Sequence, residues 1–252
     1  MLLVNLFLSL NITFAGGDWV GNGGNLILCD KKEPQLLDYY EGEHDRGIVV
    51  DHGSEGSFSE RLEAVFSRLA RLSPERAAKY RKWNETFFLE TRFFYDGKIL
   101  PIQDLGPIVI PNDCNIQQVA AQRPASEMMP GDSRYLIDQR YWDRLSQRDK
   151  AGLVLHELIY REAIESKQKS SPRVRYFNQI LSSSQIAHYS EIKMIALVRL
   201  VGMRFAEIGG FELDLWDSEF RQDGTLEVAW APKENAWVKF DKQGNVEKII
   251  PR

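Results

Sequence analysis

The sequence reads as an α+β protein, with helices around a small mixed or antiparallel sheet and an antiparallel β-meander at the C-terminal end. Two observations carry that class. Apolar residues recur at spacings of three and four through residues 62–72 and 147–165, the signature of helices with one face inward. From residue 211 the pattern changes to short runs, FELDLWDSEF, TLEVAWA, AWVKFD and NVEKII, separated by turn residues, the signature of a meander. No period of 20–50 residues recurs, so a solenoid is excluded.

At 252 residues the chain can bury one core with a small appendage. A hydrophobic content of 43% and a charged content of 27% are those of a globular chain. The net charge of −4 gives no reason to expect nucleic acid or an anionic membrane as partner. One window, residues 60–82, is locally basic, with Arg61, Arg68, Arg71, Arg76, Lys79, Arg81 and Lys82. No stacking aromatics accompany these charges, and they read as the solvated side of helices.

Residues 1–15, MLLVNLFLSLNITFA, carry no charge and end in Thr13-Phe14-Ala15. An apolar run followed by a small-x-small site is the pattern of a secretory signal, and it is too short to span a bilayer. The basic n-region is missing, which a start upstream of Met1 would supply. The mature chain is expected from about Gly16, in the periplasm or outside the cell, with no membrane span after signal removal. Export gives meaning to the cysteine count. Cys29 and Cys114 are the two cysteines, and a pair in an oxidising compartment is expected to form a disulfide. That leaves no thiol for catalysis or metal binding.

Three segments follow from this: a signal over 1–15, a main α+β domain over 16–210, and the meander over 211–252 packed on it. GGDWVGNGGN lacks the Lys-Ser/Thr of a phosphate loop and reads as a leader into a strand at Asn25–Cys29. Pro34 opens a short helix, PQLLDYYE. His44 and His52 lie in a polar stretch and read as exposed loop histidines. Leu62, Val65, Phe66, Leu69 and Leu72 mark one helix; Ser73-Pro74 starts the next, with Ala77, Tyr80, Phe87 and Phe88 inward. Asn84-Glu85-Thr86 matches a glycosylation sequon by pattern. ETRFFYDGKILPI reads as a hairpin turning at Asp96-Gly97. GPIVIP, CNIQQVAAQ and RYLIDQ are further strand candidates. Helices are expected from Ser171-Pro172 and from about Ser190.

The stretch DKAGLVLHELIYREAIE, residues 149–165, is the candidate site. Ser146 and Asp149 form a capping box that starts the helix at Gln147. Ala151, Val154, Leu155, Leu158 and Ile159 share one broad apolar side. His156 and Tyr160 lie one turn apart beside it, with Gly152 and Ala163 close by, small residues that leave room above the imidazole. Glu157 and Arg161, at i and i+4, are placed to pair.

LVLHELIY resembles the active-site helix of the zincin metallopeptidases, in which a buried apolar run leads into H-E-x-x-H, and the order helix, small sheet, helix is similar to their layout. The resemblance implies zinc, with His156 as first ligand and Glu157 as general base. Tyr160 stands where the second histidine belongs, and a phenol must lose its proton to compete with imidazole. Tyr160 would then take a catalytic role beside Glu157, and further ligands would come from His188 and Glu191. The order HELIYR, SSPRVRYFNQIL and terminal meander also resembles a group of uncharacterised secreted proteins of predatory bacteria. That likeness implies no activity; it suggests a polar cluster of His156, Glu157, Tyr160, Arg161 and Arg175.

Three functions remain open from the residues. One is an exported protein of undetermined activity in which that cluster is structural, with Arg161 or Arg175 holding Glu157, so that Glu157→Gln lowers the melting temperature. The second is an atypical zinc-dependent hydrolase. The third is a cell-envelope binding module presenting Trp216, Trp230 and Trp237. No G-x-S-x-G elbow and no G-x-G-x-x-G turn occurs.

Overall fold

The computed structural model describes residues 24–95, 99, 106, 108–168 and 170–252. The expected signal and most of its leader, and the turn at Asp96-Gly97, lie outside these. The class is α+β, with three small sheets and seven α-helices among the described residues.

The first sheet has the order β2-β1-β4, from β1 (Asn25–Cys29), β2 (Gln35–Leu36) and β4 (Cys114–Gln118), all antiparallel. Cys29 faces Cys114 directly in the β1–β4 register, and the two form the expected disulfide. Pro34 does not open a helix: β2 intervenes, and α1 runs over Leu37–Asp45. The second sheet is mixed. Its strand β3 (Thr91–Phe94) pairs in parallel with β6 (Tyr135–Asp138), which pairs antiparallel with β5 (Ala120–Gln122). The strand after Glu90 therefore finds its partner over forty residues away, where the sequence suggested a hairpin. Ile108, Val109 and Ile110 form no strand.

Helix α2 (Phe58–Leu69) starts at a complete Ser57–Glu60 capping box and buries Leu62, Val65, Phe66 and Leu69. Helix α3 (Pro74–Thr86) begins at Pro74 as expected, but Ser73 does not cap it. Glu207 does so from the far sheet, accepting from the backbone N–H groups of Glu75 and Arg76 and from the Ser73 hydroxyl, an acid at the positive end of the helix dipole. Phe87 is buried, whereas Phe88 is 43% exposed and does not point inward.

A single turn, α4 (Gln139–Trp142), leads to α5 (Gln147–Glu165), which starts where the Ser146–Asp149 box places it. Helices α6 (Ser171–Leu181) and α7 (Glu191–Leu200) follow. The meander is wider than expected. β8 (Phe211–Phe220), β9 (Leu226–Ala231), β10 (Ala236–Phe240) and β11 (Val246–Pro251) are joined by β7 (Phe205–Ile208), giving the order β11-β10-β9-β8-β7. The sheet thus begins before residue 211. Its inward residues Ala206, Leu213, Ala229 and Val238 belong to the same apolar cluster as Leu155 and Phe66, so one core serves the helices and the meander together.

Helix α5 is the axis of that core. It packs against α1, α2, α3, α6 and β2, and every side chain from Ala151 to Tyr160 is buried. A helix covered on all sides needs a partner for each polar side chain it carries.

Candidate functional site

His156 is wholly buried at the middle of α5. Its Nδ1 lies 2.8 Å from Oδ2 of Asp38, which α1 brings in from 118 positions away. Asn178 of α6 donates to the same Oδ2 at 2.7 Å and to the carbonyl of Gly152 at 3.0 Å. Burial pulls the His156 pKa down, but the Asp38 charge and hydrogen bond outweigh it, and the net direction is up. Burial would raise Asp38; the imidazolium and the bonds from His156 and Asn178 reverse that and lower it. The two form a buried hydrogen-bonded pair.

From Asn178 the polar contacts continue outward. Ser182 Oγ donates to Asn178 Oδ1 at 3.2 Å, Tyr39 Oη is 3.0 Å from Ser182 Oγ, and His52 Nε2 is 2.8 Å from Tyr39 Oη. His52 is therefore no exposed loop residue: it is 2% exposed, while His44 is exposed. Burial, then the charges of Arg61, Arg148 and Arg68, push His52 down to about 3, so it is neutral near pH 7. Burial pushes the Tyr39 phenol up, so it keeps its proton. The Tyr39 ring also fills the space that the sequence left open above Gly152, where an added Cβ would lie 2.4 Å from it.

Glu157, also fully buried, has no cation bonded to it among the described residues. Its Oε1 accepts from Gly24 N–H at 2.8 Å and its Oε2 from Gln122 Nε2 at 3.2 Å, and the same Gln122 amide donates to the Glu157 carbonyl. Burial raises its pKa, only partly opposed by the charge of His156 and these bonds. The expected trio of Glu157, Arg161 and Arg175 does not form. Arg161 pairs with Glu90 at 3.3 Å and lies 4.4 Å from the Trp83 ring centre. Arg175 makes a buried two-pronged pair with Glu41, both bonds 2.9 Å. One helical turn separates the outcomes: Glu157 faces the start of β1 and β5, whereas Arg161, four residues on, reaches Glu90 just before β3. Tyr160 is buried, its ring stacked near that of His156 at 6.2 Å and 11°.

The other proposed ligands are not brought to His156. His188 is exposed in the short turn Ser184–His188, and the Glu191 carboxylate accepts from Gly209 N–H at 3.0 Å. Among the described residues no three His, Cys, Asp or Glu side chains are grouped to hold a metal.

The most heavily bonded acid of α5 is one that sequence reasoning passed over. Glu162 accepts from Arg76 on both oxygens (3.0 and 3.2 Å), from Lys79 at 2.8 Å and from Tyr80 at 2.6 Å. Burial would raise its carboxyl, but Arg76, then Lys79 and the bonds hold it down at about 2. Arg76 is 3% exposed, so the basic window is not wholly a solvated face. The signal was present: Arg76, Lys79 and Tyr80 stand at i, i+3 and i+4 on one side of α3. A cleft of about 140 Å³ beside this cluster is lined by Glu75, Lys79, Glu207 and Glu212, away from His156.

No family model, no curated protein and no solved structure matches the chain.

Proposed function

We propose that this chain is an exported, disulfide-bonded protein in which the His156–Glu157 helix is a structural keystone, and that its work is binding rather than hydrolysis. One observation carries the reading: His156 and Glu157 are each fully buried and each bonded to groups of their own chain, Asp38 for one and Gly24 and Gln122 for the other. A general base must reach a water or a substrate, and Glu157 has no exposed surface from which to do so. Export is supported by the Cys29–Cys114 disulfide, and no helix among the described residues is long and apolar enough to cross a membrane. Binding at the cell envelope is supported by the C-terminal sheet, where Trp216 is 48% exposed and Trp230 and Trp237 pair half-buried across β9 and β10.

A second reading, the atypical zinc-dependent hydrolase with Glu157 and Tyr160 as its catalytic residues, keeps one observation in its favour. His156 Nε2 has no hydrogen-bond partner among the described residues. A carboxylate on Nδ1 with Nε2 left over is the arrangement of a metal-ligating histidine. Elemental analysis of protein purified without chelator separates the two. The binding reading expects no stoichiometric zinc and a lower melting temperature for His156→Ala, because Asp38 is left charged and buried. One zinc per chain, lost in His156→Ala, would overturn it.

A further inference from the structure

The five-stranded sheet turns Ala206, Leu213, Ala229 and Val238 into the core, so the residues alternating with them stand on its other face. The strand registers align five of these in one row: Phe205 opposite Asp214, Asp214 opposite Trp230, Trp230 opposite Trp237, and Trp237 opposite Ile250. At about 4.8 Å between neighbouring strands, the row runs roughly 19 Å across the sheet. The Trp230 and Trp237 ring centres are 5.5 Å apart. Trp216, from the irregular stretch of β8 just after Asp214, stands near the β7 end. There the Arg204 guanidinium carbon lies 5.0 Å from the Trp216 ring centre and 5.0 Å from that of Phe205. Phe205 also lines the cleft of about 140 Å³. None of Phe205, Trp216, Trp230, Trp237 and Ile250 joins the apolar core or packs against it, and Trp216 and Ile250 are 48% and 40% exposed. Large aromatics gathered on one face outside the core mark a surface that meets a partner. The charges beside these rings are matched within the chain. Arg204 donates to Asp214 from Nε at 2.8 Å and from Nη2 at 2.5 Å, and Lys239, two residues on from Trp237, pairs with Glu247 at 3.2 Å. Arg252 lies over the Trp230 ring, 5.7 Å from its centre. A polyanion is held by an excess of cations, and a lipid surface by an apolar face free of ion pairs. The face fits instead a neutral ligand with flat C–H surfaces for the rings, and with hydroxyls that accept from guanidinium and ammonium groups and donate to carboxylates.

We propose that this aromatic row binds a neutral glycan chain laid across the strands, its sugar rings stacked on Trp216, Trp230 and Trp237. This rests on the binding reading above and names the class of its ligand. The full chain is titrated calorimetrically with cellohexaose and with chitohexaose, two extended neutral hexasaccharides, and with heparin and anionic lipid vesicles as the competing classes. Wild type is expected to bind at least one of the two sugars saturably. Trp237→Ala weakens that binding about tenfold, the loss of one stacked ring. Trp237→Phe keeps a ring and falls between the two. Trp216→Ala, at an exposed position, weakens binding as well and decides the matter should Trp237→Ala not fold. No heat with either sugar would overturn the proposal, as would equal affinities in wild type, Trp237→Ala and Trp216→Ala. Binding of heparin or vesicles in place of the sugars, lost in the same variants, would overturn it too while leaving the binding reading standing. That reading falls separately, to one zinc per chain lost in His156→Ala.

Discussion

Replacing Glu162 by Gln should remove a measurable, pH-dependent part of the fold's stability. The carboxyl sits at about 2 in the folded chain against an ordinary 4.5. A depressed pKa means stability that is fully present above 4.5 and lost as pH falls toward 2. Linkage puts the contribution at about 3 kcal/mol at pH 7 and roughly 1.5 kcal/mol at pH 3. A second route gives the same size. Arg76, 3% exposed, would keep its charge with its main partner gone, and breaking one side of a buried pair costs about 3–5 kcal/mol. Tyr80 and Lys79 each lose a charge-assisted bond besides. In urea, with a slope of about 3 kcal/mol per molar for a chain of this size, the midpoint at pH 7 should fall by about 1 M. The assay is equilibrium unfolding of wild type and Glu162→Gln at pH 7 and pH 3, reading the difference between the two proteins so that other carboxylates cancel. The gap should narrow by roughly half at the lower pH. A gap below about 0.5 kcal/mol at pH 7, the size of an ordinary surface change, would refute the reasoning, as would a gap that does not change with pH.

Glu157→Gln should behave in the opposite sense. A carboxyl whose pKa is raised by burial costs stability above 4.5, and the cost grows with pH until the folded pKa is reached. The variant should therefore melt at or above wild type at pH 7 and converge with it near pH 4; a clear drop at pH 7 would mean a cation reaches Glu157 after all. Separately, Cys29→Ser with Cys114→Ser opens a bridge spanning 85 positions and should cost about 4–5 kcal/mol in the chain-entropy model. A melting temperature that does not respond to a thiol reductant would contradict it.

Much of the scaffold was legible because its signals are local. The capping box at Ser146, Pro74 at a helix start, the apolar spacing of Leu62 to Leu69 and the turn residues of the meander each act within a few residues. The disulfide followed from a count of two and two strand-like flanks. What stayed hidden depends on distance along the chain. Asp38, the partner of His156, looks in sequence like an ordinary first-turn acid of a short helix. Glu207 caps α3 from a four-residue strand that follows a helix closely, too short to declare itself. β3 meets β6 in parallel over forty residues on, where the Asp96-Gly97 signal pointed to a local antiparallel hairpin. For His156 and Glu157 the sequence offered helical neighbours as partners, and Glu162 it passed over. The fold instead chose elements that arrive from the side: α1 for His156, β5 and the start of β1 for Glu157, α3 for Glu162.

That choice bears on what the His-Glu pattern means here. An apolar run leading into His-Glu produces a helix that can sit deep in a core, and depth alone does not separate a metal centre from a structural keystone. The separation lies in which group answers each polar atom. In a zinc site the second and third ligands arrive opposite Nε2, and the base stays free to meet water. Here Tyr39, kept protonated by burial, fills the space beside Gly152, and the base-like Glu157 is tied to a backbone N–H and an amide. Against the downward pull of burial, the Asp38 carboxylate holds the His156 pKa up and so favours the protonated imidazole. The Asp38–His156 hydrogen bond also anchors α1 to α5. Among the described residues no second and third ligand is grouped with His156. Asp38 at His156, and Gly24 and Gln122 at Glu157, are therefore the groups that a metal and its water would have to displace or share.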